Sequence, residues 1–409
     1  MPKLAYIFII IAALGAGTLG FWYYQSISAV PDTTPGGSGT DFFPFGDEPL
    51  PTTGDTADNT TGTTTSVDAG KGGDVSNRPI AGFTVYEDQE FGATVRYVER
   101  ETGHIYDFPL LTKTKKRISN TTIPKVREVV WIDKDHPIYR YLGQNDEIIS
   151  FLGEVRVATT SEEGKLIGSF LDDNITELLP TRAGLFYLSR DVEAAAGFTT
   201  DKKGEKVTKV FSSPIVEWTP LVSLNGTYLY TRPSGATSGY LYRIESGNLR
   251  RVLGNIPGLT VLLNPAGTVG LMSRSNSNTV TLSMFTTAKG EGSPLNVSTL
   301  PEKCLFVTPI VKGEKEYALC AVPKGVPQAV YPDIWYQGQV SFDDILYHIN
   351  LETGELTEIS DLNNVLGQPV DATDLSISAD RKNLVFKNKV NQQLFMLDLP
   401  LKLEVGDDE

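Results

Sequence analysis

The chain has 409 residues, 38 glycines, 24 prolines and a formal charge of −14. Long amphipathic helical patterns are scarce, so the composition favours strands and turns, and an acidic surface repels phosphate backbones, which argues against nucleic acid as a partner. Two cysteines and three scattered histidines are too few for a disulfide framework or a Cys-rich zinc site.

Leu4 to Tyr24 holds no charged residue. As a helix, the stretch would be about 31 Å long, the thickness of a bilayer's hydrocarbon core. Leu4, Phe8, Ile11, Leu14 and Leu19 supply its apolar body. Phe21, Trp22, Tyr23 and Tyr24 suit the headgroup boundary. Lys3 lies on the short side, and no Lys or Arg follows until Lys71. The charge bias therefore predicts a single-pass membrane anchor with its N-terminus in the cytoplasm and the bulk of the chain outside. The competing reading is a cleaved signal peptide ending at Ser26 or Ser28. No cysteine lies nearby to carry a lipid.

Residues 25–80 read as a disordered linker rich in Thr, Gly, Pro and Asp, with one aromatic cluster at Phe42, Phe43 and Phe45. Such a segment cannot bury enough apolar area to offset its ordering entropy. A flexible coil of about 55 residues has a root-mean-square reach of roughly 40 Å.

Strand signals begin at Ala81 and continue to residue 403, before a short acidic tail, 404–409. Apolar runs alternate with turns at Glu101-Thr102-Gly103, Asp133-Lys134-Asp135, Ala183-Gly184, Asn225-Gly226, Ala266-Gly267, Lys312-Gly313 and Glu352-Thr353-Gly354. Gly184, Gly226, Gly267 and Gly313 are 42, 41 and 46 residues apart. That period suits units of about four strands repeated around an axis. The expected fold is an all-β propeller of seven blades, with six and eight also compatible. The last unit, Asp374 to Leu399, has three clear strands, so Phe83 to Tyr86 is expected to complete it beyond Leu394.

Three turns carry a resemblance: Ser223-Leu224-Asn225-Gly226-Thr227-Tyr228-Leu229, Asn264-Pro265-Ala266-Gly267-Thr268 and Ser378-Ala379-Asp380-Arg381-Lys382-Asn383-Leu384. They resemble the Ser-Pro-Asp-Gly-Lys-x-Leu turn of TolB-like and WD40-like β-propellers, although none keeps Asp-Gly and the Trp-Asp dipeptide is missing. The whole layout is similar to membrane-anchored propeller proteins of small-genome bacteria. The resemblance implies a binding or scaffold role and no particular ligand.

Cys304 and Cys320 flank one hairpin at equal offsets from its turn. They are expected to face each other across two strands and form a disulfide, as an extracytoplasmic address permits. The competing reading is two buried free thiols. Gly325 to Asp344 is the most unusual internal segment. Its Tyr331, Asp333, Trp335, Tyr336, Gln337 and Phe342 form a candidate binding loop for a sugar or an extended peptide. The competing reading is a cap packed into the core. The acidic turns at Asp133-Lys134-Asp135 and Asp172-Asp173-Asn174 miss the calcium-loop pattern, and His104, His136 and His348 lack ligand spacing. Neither a metal nor a cofactor is expected. No nucleophile elbow or phosphate loop occurs. The expected function is a membrane-tethered, non-enzymatic binding module for an envelope protein or glycan. The alternative is an envelope polysaccharide hydrolase or lyase whose site is assembled across blades.

Overall fold

A computed structural model describes residues 72–400, except 158–163, 173, 277 and 311–313. The expected anchor, most of the linker and the acidic tail lie outside the described residues. Seven four-stranded antiparallel sheets follow one another. Blades 1 to 6 occupy residues 80–117, 126–170, 175–213, 218–257, 261–294 and 304–361, each with its strands in chain order. Blade 7 takes three strands from residues 372–398 and its fourth from Gly73–Asp74. The first strands of neighbouring blades approach one another around the axis. The architecture is therefore a seven-bladed β-propeller.

The apolar runs explain why blades form. Seven clusters of buried side chains fill the seven interfaces between consecutive blades. The second strand of a blade is buried on both sides. In Gly184–Arg190, Leu185 and Tyr187 pack toward blade 2, while Phe186 and Leu188 pack toward blade 4. Successive strand residues point to opposite faces, so a continuous apolar run serves two neighbours at once.

Three of the four glycines used as period marks share one position, and Gly313 lies outside the described residues. Gly184, Gly226 and Gly267 stand at the turn between first and second strands of blades 3, 4 and 5. Gly267 has φ +70°, which disfavours a β-carbon. At Gly184, a β-carbon would lie 2.3 Å from the Thr200 carbonyl oxygen.

Cys304 and Cys320 face each other in the first strand pair of blade 6 and are disulfide-bonded. Their side chains belong to the cluster between blades 5 and 6.

The ring closes differently from the sequence expectation. Phe83 to Tyr86 lies in Ile80–Asp88, the innermost strand of blade 1. The closing strand is Gly73–Asp74, paired with Met396 and Phe395. Val75 and Ser76 donate backbone N–H to the Leu394 carbonyl at 2.9 and 3.1 Å, and Ile80 donates to Gln392 at 2.9 Å. Val75 is buried against Val385, Leu394 and Met396. The ring thus begins before residue 81, inside what reads as linker. The closing ladder is two residues long, too short to show a strand period.

A chain starting at residue 81 loses these backbone bonds and the burial of Val75 and Ile80. The expected loss is on the order of 5 kcal/mol. Urea unfolding compared with a chain starting at residue 60 measures it, and equal midpoints would show that the closing strand contributes nothing.

Candidate functional site

Antiparallel order places two sets of connections on one face of the ring: those between second and third strands, and those between blades. The Gly325–Asp344 segment joins the second and third strands of blade 6 (Tyr317–Pro323 and Asp344–Asn350). It therefore lies on that face, and it carries one short helix, Asp333–Tyr336. We call it the lid.

The lid is seated through its aromatic residues. Tyr331, Trp335 and Phe342 are buried and cluster with Val280 and Leu300. The Trp335 and Phe342 rings stack with centroids 6.3 Å apart. Ala329 N–H donates to the Asn278 carbonyl of blade 5 at 2.8 Å. Gly235 N–H of blade 4 donates to Asp333 Oδ2 at 2.7 Å. The Tyr336 hydroxyl donates to Glu302 Oε1. Glu302 Oε2 in turn accepts from Thr260 Oγ1 at 2.9 Å. Burial pushes the Glu302 carboxyl up, against the hydrogen bonds from Tyr336 and Thr260.

Beneath the lid sits a fully buried ammonium. Lys303 Nζ donates to Asp344 Oδ2 at 2.7 Å, to Asp371 Oδ1, and to the Ala372 carbonyl at 3.1 Å. All three charged side chains are 0% exposed. The second oxygen of Asp371 accepts from Trp335 Nε1 at 2.8 Å and from Phe342 N–H at 3.1 Å. Lys389 Nζ lies 4.8 Å from the Trp335 ring centroid. Burial pushes its amine down; the Asp371 carboxylate opposes this. Burial likewise pushes Asp344 up to about 6, against the pull of the Lys303 ammonium.

The six loop residues singled out by sequence thus divide. Tyr331, Trp335 and Phe342 point inward, and Asp333 anchors blade 4. Tyr336 and Gln337 alone are exposed. Tyr336 forms part of the wall of a cavity of about 430 Å³ near the axis, together with Glu177, Arg190, Trp218, Tyr230 and Arg232. Arg232 Nη1 lies 3.0 Å from Glu217, and Arg190 Nη1 3.9 Å from it. Burial raises the Glu177 carboxyl, opposed by the Arg140 guanidinium.

Thr176 and Arg190 line this cavity and also a larger groove of about 1460 Å³ between blades 2 and 3. The groove opens on the lid-bearing face. Ile148, Phe170 and Val192 stand exposed along it, Val192 at 90%. No linear signal marked these residues, because blades 2, 3, 4 and 6 each contribute a part. The single local sign was a valine between two acids at Asp191-Val192-Glu193.

The histidines are tied into the frame. His104 is buried with Nε2 3.0 Å from Thr122 Oγ1. His136 Nδ1 is 2.7 Å from Asp133, and the His348 ring packs on Tyr317. Among the described residues, no three His, Cys, Asp or Glu side chains converge as metal ligands.

Removing one partner of a buried ion network leaves the others uncompensated. Lys303→Met is expected to cost about 3–5 kcal/mol in urea unfolding; a change below 1 kcal/mol would show that the network is not the lid's seat. The pH dependence has a defined sign. A carboxyl whose folded pKa is raised binds more protons in the folded state, so its contribution falls as pH rises from about 4 to about 6. Asp344→Asn is expected to reduce that slope, with Glu302 and Glu177, also raised by burial, supplying the remainder. Carboxylates held low, such as Asp133 at about 2, act below pH 4 and add nothing to this slope.

No family model and no curated protein matches the chain. Several solved structures are similar to it. The tricorn protease is 12% identical with a TM-score of 0.43, covering 75% of this chain; the chain spans only 37% of that protein's length. A Lactobacillus plantarum protein is 11% identical with a TM-score of 0.43, covering 80% of this chain and 94% of its own. The Dos1 propeller is 10% identical with a TM-score of 0.47, covering 78% and 77%. None of these likenesses carries a function over. The seven-bladed ring rests on the strand pairing of this chain itself.

Proposed function

We propose that this chain is a membrane-tethered, extracytoplasmic propeller that binds an envelope protein or glycan through its lid-bearing face. The tether reading rests on the uncharged stretch Leu4 to Tyr24 and the absence of Lys or Arg between Lys3 and Lys71. The Cys304–Cys320 disulfide suits an oxidising compartment. The observation that carries the binding reading is the continuity of the groove with the axial cavity through Thr176 and Arg190. Together they form a concave path from the rim to the axis, with apolar side chains along its outer part and charged groups at its inner end. Concave sites of mixed lining are where proteins take ligands.

Two carboxylates, Glu177 and Glu217, line the inner end from different blades. They favour, as a second reading, an enzyme acting on an envelope polysaccharide. Turnover of such a polymer, lost in Glu177→Gln, would select that reading.

The test of the binding face is positional. A photocrosslinking residue is placed in the full chain at Val192, on the grooved face, or at Thr353, in a turn on the opposite face. Cells expressing each variant are irradiated. Adducts are expected from position 192 and not from position 353. Equal yields, or adducts from 353 alone, would overturn the assignment of the face.

A further inference from the structure

The cavity under Tyr336 has a chemistry that narrows its ligand. We infer that it is a saccharide site, taking one neutral pyranose unit of a glycan. This inference rests on the lid-bearing face being the ligand face, and it adds the class of ligand.

Three features carry it. The first is the balance of charge. Glu177 and Glu217 bring two carboxylates, and Arg190 and Arg232 bring two guanidinium groups. The formal sum is zero, so no field gathers an anionic or cationic polymer. The polar groups instead alternate between acceptors only and donors only. A sugar hydroxyl both donates and accepts, so adjacent hydroxyls can satisfy a carboxylate and a guanidinium together. The second is the aromatic content. Trp218, Tyr230 and Tyr336 come from two strands of blade 4 and from the lid. Trp218 and Tyr230 are packed into the blade interfaces, 4% and 5% exposed, so Tyr336, 44% exposed, is the ring open to the C–H face of a pyranose while its polar tip stays hydrogen-bonded. The Tyr336 hydroxyl is so occupied, by Glu302. The third is availability. Arg190, Arg232 and Glu217 have side chains 47%, 73% and 45% exposed. Exposed ion pairs of this sort contribute about 0–1 kcal/mol, so an incoming hydroxyl can replace either partner at little cost. The volume of about 430 Å³ falls in the lower part of the range for small-ligand sites, roughly 300–1,000 Å³.

The rival ligand is a small zwitterion such as glycine, which also matches paired opposite charges but gives the Tyr336 ring nothing to cover.

The experiment is saturation-transfer NMR on the full chain, held in a detergent without a sugar headgroup. The probes are D-glucose, D-galactose and N-acetyl-D-glucosamine, with glycerol and glycine as controls. Transfer to ring C–H protons of at least one pyranose is expected, well above glycerol. Tyr336→Ala and Glu177→Gln are each expected to weaken that binding about tenfold, with the thermal midpoint of Glu177→Gln unchanged. Three results would overturn the inference: no pyranose above glycerol, glycine bound as well as any sugar, or sugar binding indifferent to Glu177→Gln. Loss of the sugar site leaves the crosslinking from Val192 in place, so the two readings fail separately.

Discussion

A single ammonium group with no access to water fixes the geometry on which the candidate site depends. Burying one ion costs several kcal/mol even after relaxation, so Lys303 is tolerable only with its partners in place. Those partners come from distinct parts of the fold. Lys303 belongs to the 3₁₀ turn Pro301–Lys303, leading into blade 6. Asp344 opens the third strand of that blade, and Asp371 precedes the first strand of blade 7, Ala372–Ile377. The outer oxygen of Asp371 then holds the lid by Trp335 and Phe342. One network thus joins two blades and the lid, and through the lid it sets where Tyr336 stands at the cavity wall. The cation also lies 5.7 Å from the Trp335 ring centroid and 5.4 Å from that of Phe342, so the aromatic seat and the ionic seat reinforce one another.

The ring itself is held by simpler physics. Each blade is a sheet with apolar residues on both sides, and neighbouring blades cover those sides without helices. This is why glycine turns at a spacing of forty-odd residues were a sound guide: they mark one topological position, and the apolar runs between them have nowhere else to go. Closure was harder to see. Gly73–Asp74 sits in a run of Gly, Asp, Ser and Asn that has the composition of a tether. An outermost strand needs only backbone groups and one buried side chain, Val75, so its composition is scarcely constrained. Phe83 to Tyr86 was the more strand-like stretch and took the more demanding position, the innermost strand of blade 1.

The candidate site was legible only as a location. Its aromatic richness drew attention to the lid, but composition does not say which rings face inward. Adjacent residues Trp335 and Tyr336 divide, one 3% and the other 44% exposed, because a helical turn points them in different directions. The ion network was invisible for another reason: Lys303 is 41 residues from Asp344 and 68 from Asp371, and each sits in an unremarkable local context. Cysteines were the exception. A hairpin places equal offsets opposite each other, so the Cys304–Cys320 pairing could be read from spacing within one blade, where no closure of the ring intervenes.

The two faces of the ring differ in a way that bears on access. On one face the first and second strands of blades 1 to 5 are joined by short turns, as at Ser223–Gly226. On the other lie the long connections, including residues 295–303 and 362–371 and the lid. The lid ties itself to blades 4 and 5 and to the turns leading into blades 6 and 7, and among the described residues none of these bonds reaches blades 2 and 3. The relief is therefore lopsided. The lid packs on this face against blades 5 and 6, whereas between blades 2 and 3 the face falls away into the groove. Under the proposed function, a polymer would take its path inward there, past Phe170 and Val192, to the edge of the lid that Tyr336 presents.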